Sequence, residues 1–520
     1  MSQAVLHSSF SSEVAPLHAD VLVLGGGPAG AWAALTAARA GAEVVLADKG
    51  HCGTSGAAAA SNNSVWYVPQ PEDYPRHHAE RYDSGGQLSE REWVDAVLAQ
   101  AAAQLHLFAE LGYPFPRTQS GALNYASLRG PDAQRLLRQL LRRAGVTILD
   151  HSPATGLLRD GTTVVGAQGW TREGAHWQAW APATVIATGG CAFLSGALGT
   201  NVCTGDGQLA AAEAGALFSG MEFSNQYGLS AAFSSVTKGL PFHWASYYRA
   251  DGREIEVEGE EPFVAVARVL QHEAVYACFD RADADIERWL RSAQANAFLP
   301  YDRMGIDPFS QRFPVGLRLE GTVRGTGGIL LRDRSGATHV PGLYAAGDAA
   351  SREPIVGGRS GGGSPNGAWA IATGTWAGKG AWEHAQRVGR VRHADADPCS
   401  LRVADPAAAL AVIRRELWPL EKNVFREEAG LLASLQALDD AWAQPAQAGA
   451  GQVAAGRQAR AMLLMGRMAY RSALARRESR ALHQRMDHPA SQGYPYRQHV
   501  RGLDTLSVSA AAMRHAEPAP

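Results

Sequence analysis

Gly25-Gly26-Gly27-Pro28-Ala29-Gly30 places three glycines at the spacing G-x-G-x-x-G, and Asp48 closes the next apolar run. Those residue types at that spacing are suited to holding a diphosphate. Gly25 permits a tight turn, Gly27 lets backbone approach a pyrophosphate, and Gly30 lets a helix lie close to a strand. The elements needed to aim them are present. Val21–Leu24 predicts a strand, Ala31–Ala40 an Ala-rich helix ended by Gly41, and Val44–Ala47 a second strand. The helix start, with Pro28 and Ala29, offers N–H groups and partial positive charge to an anion. Asp48, followed by Lys49, can accept hydrogen bonds from ribose hydroxyls and would repel a 2′-phosphate. The pattern is a dinucleotide-binding βαβ unit. At this point it leaves NAD and FAD both open.

The 520-residue chain is long enough for two or three domains. Apolar residues make up 46% and charged residues 19%, a soluble globular balance. Fifty-seven glycines suit a protein that brings backbone close to a large ligand. A net charge of −2 gives no electrostatic case for nucleic acid. The pairs Arg414–Arg415 and Arg476–Arg477 are expected on helices. Cys52, Cys191, Cys203, Cys278 and Cys399 are scattered, with no C-x-x-C spacing, so neither a metal site nor an iron–sulfur cluster is expected. The first 18 residues lack a secretory pattern, and no apolar run is long enough to span a bilayer. The expectation is a cytoplasmic protein with reduced thiols.

Later segments narrow the nucleotide. "ATVIATGG" (183–190) is an apolar strand ending in Thr188-Gly189-Gly190, and "NVCTGDGQLAAAEAGA" (201–216) is a polar turn with Asp206 leading into a helix. "HVPGLYAAGDAASREPIVGGRSGGGSPNGAWAIATG" (339–374) holds a strand, Gly347-Asp348, glycine loops, and a helix from about Pro365. With "RGPDAQRLLRQLLRRAGVTIL" (129–149), these resemble the glutathione-reductase-type FAD fold, an α/β architecture. The resemblance puts Asp348 against the ribityl chain. Ser364 and Asn366 then fall at a helix start aimed at the O2 side of the flavin ring, where positive charge stabilises a reduced anionic flavin.

"SALARRESRALHQRMDHP" (472–489) resembles the ending R-x-E-S-R-G-x-H-x-R-x-D-x-P of the fumarate reductase/succinate dehydrogenase flavoprotein family. "TGDG" (204–207), "MEF" (221–223), "DGRE" (251–254), "GTGGI" (325–329) and "VPGLYAAGD" (340–348) agree in order, so the resemblance spans roughly 19–490. The family includes aspartate oxidases and the adenylylsulfate reductase α subunit. It implies a glutathione-reductase-type FAD-binding domain at 19–236 and 318–392, with an inserted capping domain at 237–317. A C-terminal helical domain follows at 405–490, its helices joined by a loop at 443–456, and disordered tails are expected at 1–18 and 491–520. Thr54, Ser55, Gly56 and Asn62 join the cofactor-binding residues. Arg480 and Glu478 are expected to clamp the last helix to the FAD domain.

Departures from the family carry functional information. Members with covalent flavin attach it through a histidine where this chain has Gly56, and His51 lies too early to serve, so FAD is expected to be noncovalent. "MEFSNQYGLS" (221–230) offers Gln226 and Tyr227 where dicarboxylate enzymes have a histidine. "GLPFHWASYYRADGRE" (239–254) lacks the family's proton-delivering arginine motif and offers His243, Tyr247 and Tyr248 as acid/base candidates. Arg359 in "GGRSGGGSPNG" (357–367) matches the family's carboxylate-gripping arginine, with Glu353 as its alternative structural partner.

The expected function is hydride transfer between flavin N5 and a small, carboxylate-bearing substrate. The catalytic set is Arg359, His243, Tyr247, Tyr248 and Gln226. The alternative is a flavoprotein subunit exchanging electrons with a separate iron–sulfur protein. Self-association is left open, and neither nucleic acid nor a membrane span is expected.

Overall fold

Val21–Leu24 and Val44–Ala47 are short aliphatic runs, fully buried, and they pair in parallel inside a five-stranded sheet. The strand order is Leu343–Ala345, Ala183–Ile186, Val21–Leu24, Val44–Ala47, Thr147–Leu149, with every pairing parallel. Strands covered on both faces read as unbroken apolar runs, which is why these segments show no alternation. The structure, a computed structural model, describes residues 15–118, 120–237, 239–257, 262–391, 402–444, 452–491 and 493–513, excepting the side chains of 62 and 63.

Two helices, Pro28–Arg39 and Ser364–Val388, pack side by side next to this sheet. Their contact runs through small residues. A Cβ on Gly374 would lie 2.3 Å from the Ala29 carbonyl oxygen, and one on Gly378 would lie 2.2 Å from that of Ala33. Because Gly374 meets Ala29 and Gly378 meets Ala33, the helices run parallel. Helix Ser364–Val388 therefore starts about 15 Å before the level of Ala29, at 1.5 Å per residue. Two electropositive helix starts thus face the same end of the sheet at different depths.

Ala154–Asp160, Thr163–Trp170 and His176–Trp180 form an antiparallel sheet. Leu17–His18 joins its edge, parallel to Ala179–Trp180. That corrects the expected tail at 1–18: its described end is a paired strand, and residues 1–14 lie outside the described residues.

The segment expected as an inserted cap contributes to an antiparallel sheet in the order Tyr227–Ala231, Phe313–Leu319, Tyr276–Cys278, Ser246–Tyr248. Helices Pro262–Leu270, Ala284–Ala293 and Ala295–Met304 accompany it. Its sheet draws on residues on both sides of the expected 237–317 limits.

The expected tail at 491–520 is also corrected. Tyr496–Gly502 and Leu506–Ala512 form a hairpin that pairs with Phe218–Ser219, itself paired with Gly328–Ile329. Arg497 anchors it, donating to the Leu88 carbonyl at 2.6 Å and to Glu90. Residues 492 and 514–520 lie outside the described residues.

The C-terminal helices are Pro406–Leu417, Glu428–Ala443 and Val453–Ala475. Of the loop expected between the last two, 445–451 lie outside the described residues, as do 392–401. The arginine-rich ending forms a buried clamp. Arg476 pairs with Glu222 at 2.8 Å and with Glu478 at 2.7 Å, while Arg480 pairs with Glu478 and donates to the Gly86 carbonyl at 2.7 Å. His483 sits between Arg426 and the Arg476 carbonyl, and burial beside those cations holds it neutral. Cys52, Cys191, Cys203 and Cys278 are buried and unpaired; Cys399 lies outside the described residues. No described helix is long and apolar enough to cross a membrane.

Candidate active site

A cavity of about 560 Å³ runs from the glycine loop, past both helix starts, to the underside of the cap. Gly25 and Gly27 line it. Gly25 has φ +104°, and a Cβ there would meet the Ala187 carbonyl oxygen at 2.4 Å. At Gly27 a Cβ would meet nothing within 4 Å, so the backbone is bare toward the cavity. Gly30 does not line it. Its hydrogen fills the place where a Cβ would lie 1.8 Å from the Gly25 carbonyl oxygen, so Gly30 serves the strand–helix contact. Pro28 and Ala29 line the wall at the helix start.

Asp48 reaches the cavity from the end of its strand and is 6% exposed. Its Oδ2 accepts from the Gly26 N–H at 2.6 Å, and Oδ1 accepts from the Gly50 N–H at 2.7 Å and the Ser55 hydroxyl at 2.8 Å. A carboxylate has about four acceptor positions, so capacity for a ribose hydroxyl is left. Asp48 therefore also braces the glycine loop, a role sequence reasoning missed. Lys49 and Asp206 line the cavity as an ion pair at 2.5 Å, with Lys49 also donating to Thr204.

Ser55 and Gly56 line the wall. Thr54 does not: it is exposed, bonded to His51 at 3.1 Å, and is withdrawn from the cofactor set. His51 lies with Thr54 and Asp150 away from the cavity. The strand Asn62–Ser64 pairs with Ser127–Arg129 beside the cavity, but the Asn62 side chain is outside the described residues. Thr188 and Gly189 line it, and the buried Thr188 hydroxyl has no partner among the described residues. The Gln134 Oε1, also on the wall, is likewise unmatched.

At the second helix start, Gly347, Asp348, Ser364 and Asn366 line the cavity. Asp348 and Asn366 share a partner not anticipated from sequence. Fully buried Arg352 donates from Nη1 to Asp348 at 2.6 Å and to Asn366 at 2.9 Å, and from Nη2 to the Thr322 and Gly325 carbonyls. Burial lowers its pKa, and the Asp348 carboxylate opposes that shift. The available signal is an adjacent pair of charges, Arg352 and Glu353, inside the otherwise uncharged run "AASREPIV" (349–356).

Gln226, His243, Tyr247 and Arg359 all line the cavity. Tyr248 does not join them. Alternation along Ser246–Tyr248 turns it to the opposite face, where it donates to Asp280 at 2.6 Å and stacks under Arg312 at 3.6 Å. It is withdrawn from the acid/base set. Tyr247 is 1% exposed and donates to the Phe242 carbonyl at 3.3 Å, with burial pushing its phenol well up. It is a neutral hydroxyl, not a base. Gln226 donates to the Tyr227 carbonyl at 2.9 Å, and its Oε1 is unmatched among the described residues. Arg359 donates to Ser84 at 3.0 Å, whereas Glu353 turns to Ser219 and, at 3.7 Å, to Arg497. Arg81, Glu320 and Arg324 also line the cavity, and nothing in their sequence context singles them out.

A long cavity with bare backbone at Gly27, two helix starts and unmatched polar atoms at Thr188 and Gln134 fits a flavin dinucleotide. A sequence profile for the FAD binding domain family matches residues 20–365. The L-aspartate oxidase of Mycobacterium leprae is 27% identical over 524 residues, covering 91% of this chain and 93% of that protein. A variant of the quinol fumarate reductase of E. coli has the same fold at 20% identity, with a TM-score of 0.81 and 98% of both chains covered. Adenylylsulfate reductase from Archaeoglobus fulgidus superposes with a TM-score of 0.75 at 17% identity, covering 98% of this chain and 97% of that one. The match across residues 20–365 settles membership: the chain belongs to the FAD binding domain family and is an FAD-dependent oxidoreductase.

Proposed function

We propose that this protein holds FAD noncovalently and oxidises or reduces a small, carboxylate-bearing substrate under the cap. The observation that carries the proposal is one continuous cavity in which the cofactor-binding residues and Arg359 share a wall with His243 and Gln226. FAD, when bound, supplies the two-electron chemistry; the chain binds, orients and moves protons. Arg359 offers a planar fork to a carboxylate. His243 sits exposed at the cavity wall, within reach of solvent protons, and is the proton-transfer candidate that remains once Tyr248 is removed. The names of the matched relatives support a carboxylate, since aspartate and fumarate are both carboxylates. Gly56, in place of an attachment histidine, supports noncovalent FAD.

The test is an anaerobic screen of amino, hydroxy and unsaturated carboxylates, read by bleaching of the oxidised flavin or reoxidation of the reduced one. Turnover with a carboxylate, lost in Arg359→Lys at normal FAD content, is the expected result. A productive substrate without a carboxylate overturns the proposal.

A further inference from the structure

We propose that Arg352 is a positioning residue for the flavin end of FAD. It fixes the Asn366 amide so that the NH2 end serves the ring, and thereby raises the reduction potential of the bound cofactor. The inference rests on FAD binding and is independent of the substrate.

A fully buried guanidinium calls for a reason beyond stability. Burying an ion pair gains a fold little, and apolar residues of similar volume often serve as well or better. Arg352 is nevertheless built in from several directions. Its Nη2 donates to the Thr322 carbonyl at 2.5 Å and to that of Gly325, and its Nη1 donates to the Asp348 carboxylate at 2.6 Å. Nε has no partner among the described residues, and its neighbour is a glycine: a Cβ on Gly361 would lie 2.6 Å from Nε. The two carbonyls and the carboxylate hold the planar group in one orientation. The remaining Nη1 bond, 2.9 Å long, goes to the Asn366 Oδ1.

That bond decides what Asn366 shows the cavity. A guanidinium can only donate, so the amide turns its oxygen toward Arg352 and its NH2 end away. Asn366 lines the cavity on the first turn of helix Ser364–Val388, whose N-cap, Gly363, has no side chain to satisfy the first N–H groups. Asp48 and the first helix start serve the adenosine ribose and the diphosphate. The second helix starts about 15 Å before the level of the first, which leaves it the flavin half. A ring that has taken up two electrons gathers negative charge, so an amide NH2 beside a helix start favours the reduced form over the oxidised one. Without Arg352 the amide is free to present its oxygen instead, which reverses the sign of that contribution.

Arg352→Lys keeps a charge next to Asp348 but gives up the planar fork that reaches Asn366 at the same time. The potential of the bound FAD is measured by reduction in equilibrium with a reference dye, and FAD content by absorbance. Arg352→Lys is expected to shift the equilibrium roughly tenfold against the reduced form, a fall of about 30 mV for a two-electron couple. Asn366→Ala is expected to lower the potential by a similar amount. Adding Arg352→Lys to it should lower the potential little further, since the arginine acts through the amide. Reduced FAD content at an unchanged potential in Arg352→Lys makes the arginine a brace alone and overturns the proposal. Additive falls in the two single variants overturn the route through Asn366. Should Arg352→Lys hold no FAD, Asn366→Ala decides: an unchanged potential there overturns the proposal, and a fall upholds it.

Discussion

A methyl group added at Gly27 meets no described atom within 4 Å, whereas the same methyl at Gly30 lands 1.8 Å from the Gly25 carbonyl oxygen and 3.3 Å from the Ala187 Cβ. The pair therefore separates what the loop does for the ligand from what it does for the fold. Gly27 has φ −71° and ψ −175°, extended backbone that alanine also adopts, and it is the N-cap of helix Pro28–Arg39. Alanine is a poorer N-cap than glycine, so Gly27→Ala should cost the FAD-free protein about 1 kcal/mol or less. The new methyl projects where the diphosphate must approach. Losing one charge-assisted hydrogen bond to the helix start costs roughly 1.5–3 kcal/mol. That corresponds to roughly 10- to 150-fold in the FAD dissociation constant. In Gly30→Ala the strand and helix must separate, and such overpacking costs about 1–3 kcal/mol, occasionally more, with no ligand present. Chemical denaturation of FAD-stripped protein and titration with FAD, followed by flavin fluorescence, measure the two effects independently. The reasoning fails if Gly27→Ala binds FAD as tightly as wild type, or if it destabilises the FAD-free protein more than Gly30→Ala does.

Asp48→Ala should weaken FAD binding and also lower stability without FAD, because the buried Gly26 and Gly50 N–H groups lose their acceptor, at about 1–3 kcal/mol each. A melting temperature equal to wild type in the FAD-free variant would contradict the bracing role. Acid precipitation should leave the yellow colour in the supernatant; flavin in the pellet would mean a covalent bond. Burial, opposed by Arg497 and reinforced by Glu222, raises the Glu353 pKa from 4.5 to about 7. Its contribution to stability is therefore full below pH 4.5 and lost as pH rises through 7, since the folded state holds the proton longer than the unfolded one. Glu353→Gln should flatten that part of the stability–pH profile, and an unaltered profile would show that the titration lies elsewhere.

What could be read from sequence was local. The glycine loop, the strand before it and Asp48 lie within one βαβ unit, so spacing alone announced the binding region. Residues whose roles depend on distant partners are legible only where the family resemblance points to them, as for the Arg480–Glu478 clamp. Arg352 reads as the neighbour of Glu353 until Asp348, Asn366 and two carbonyls from 322–325 close around it. Arg324 meets the Thr237 carbonyl only when that segment folds against it. Tyr247 and Tyr248 are both candidates by residue type, but neighbours on a strand face opposite sides, so only one of them can face the cavity. The hairpin at 496–512 reads as a tail in sequence because its partner strand, Phe218–Ser219, is two residues long and lies far away in sequence.

That hairpin also imposes an order on biosynthesis. Phe218 pairs with Val500 across about 280 residues, and Arg497 ties the same strand to Leu88 and Glu90. A nascent chain therefore cannot complete this sheet until synthesis has passed residue 512, however early the glycine loop leaves the ribosome. Contacts of such sequence separation form late, because loop closure must precede them. During that interval the edge formed by Phe218–Ser219 stays unpaired and offers a template for misassociation. Shortening the chain before 496 would make that transient exposure permanent.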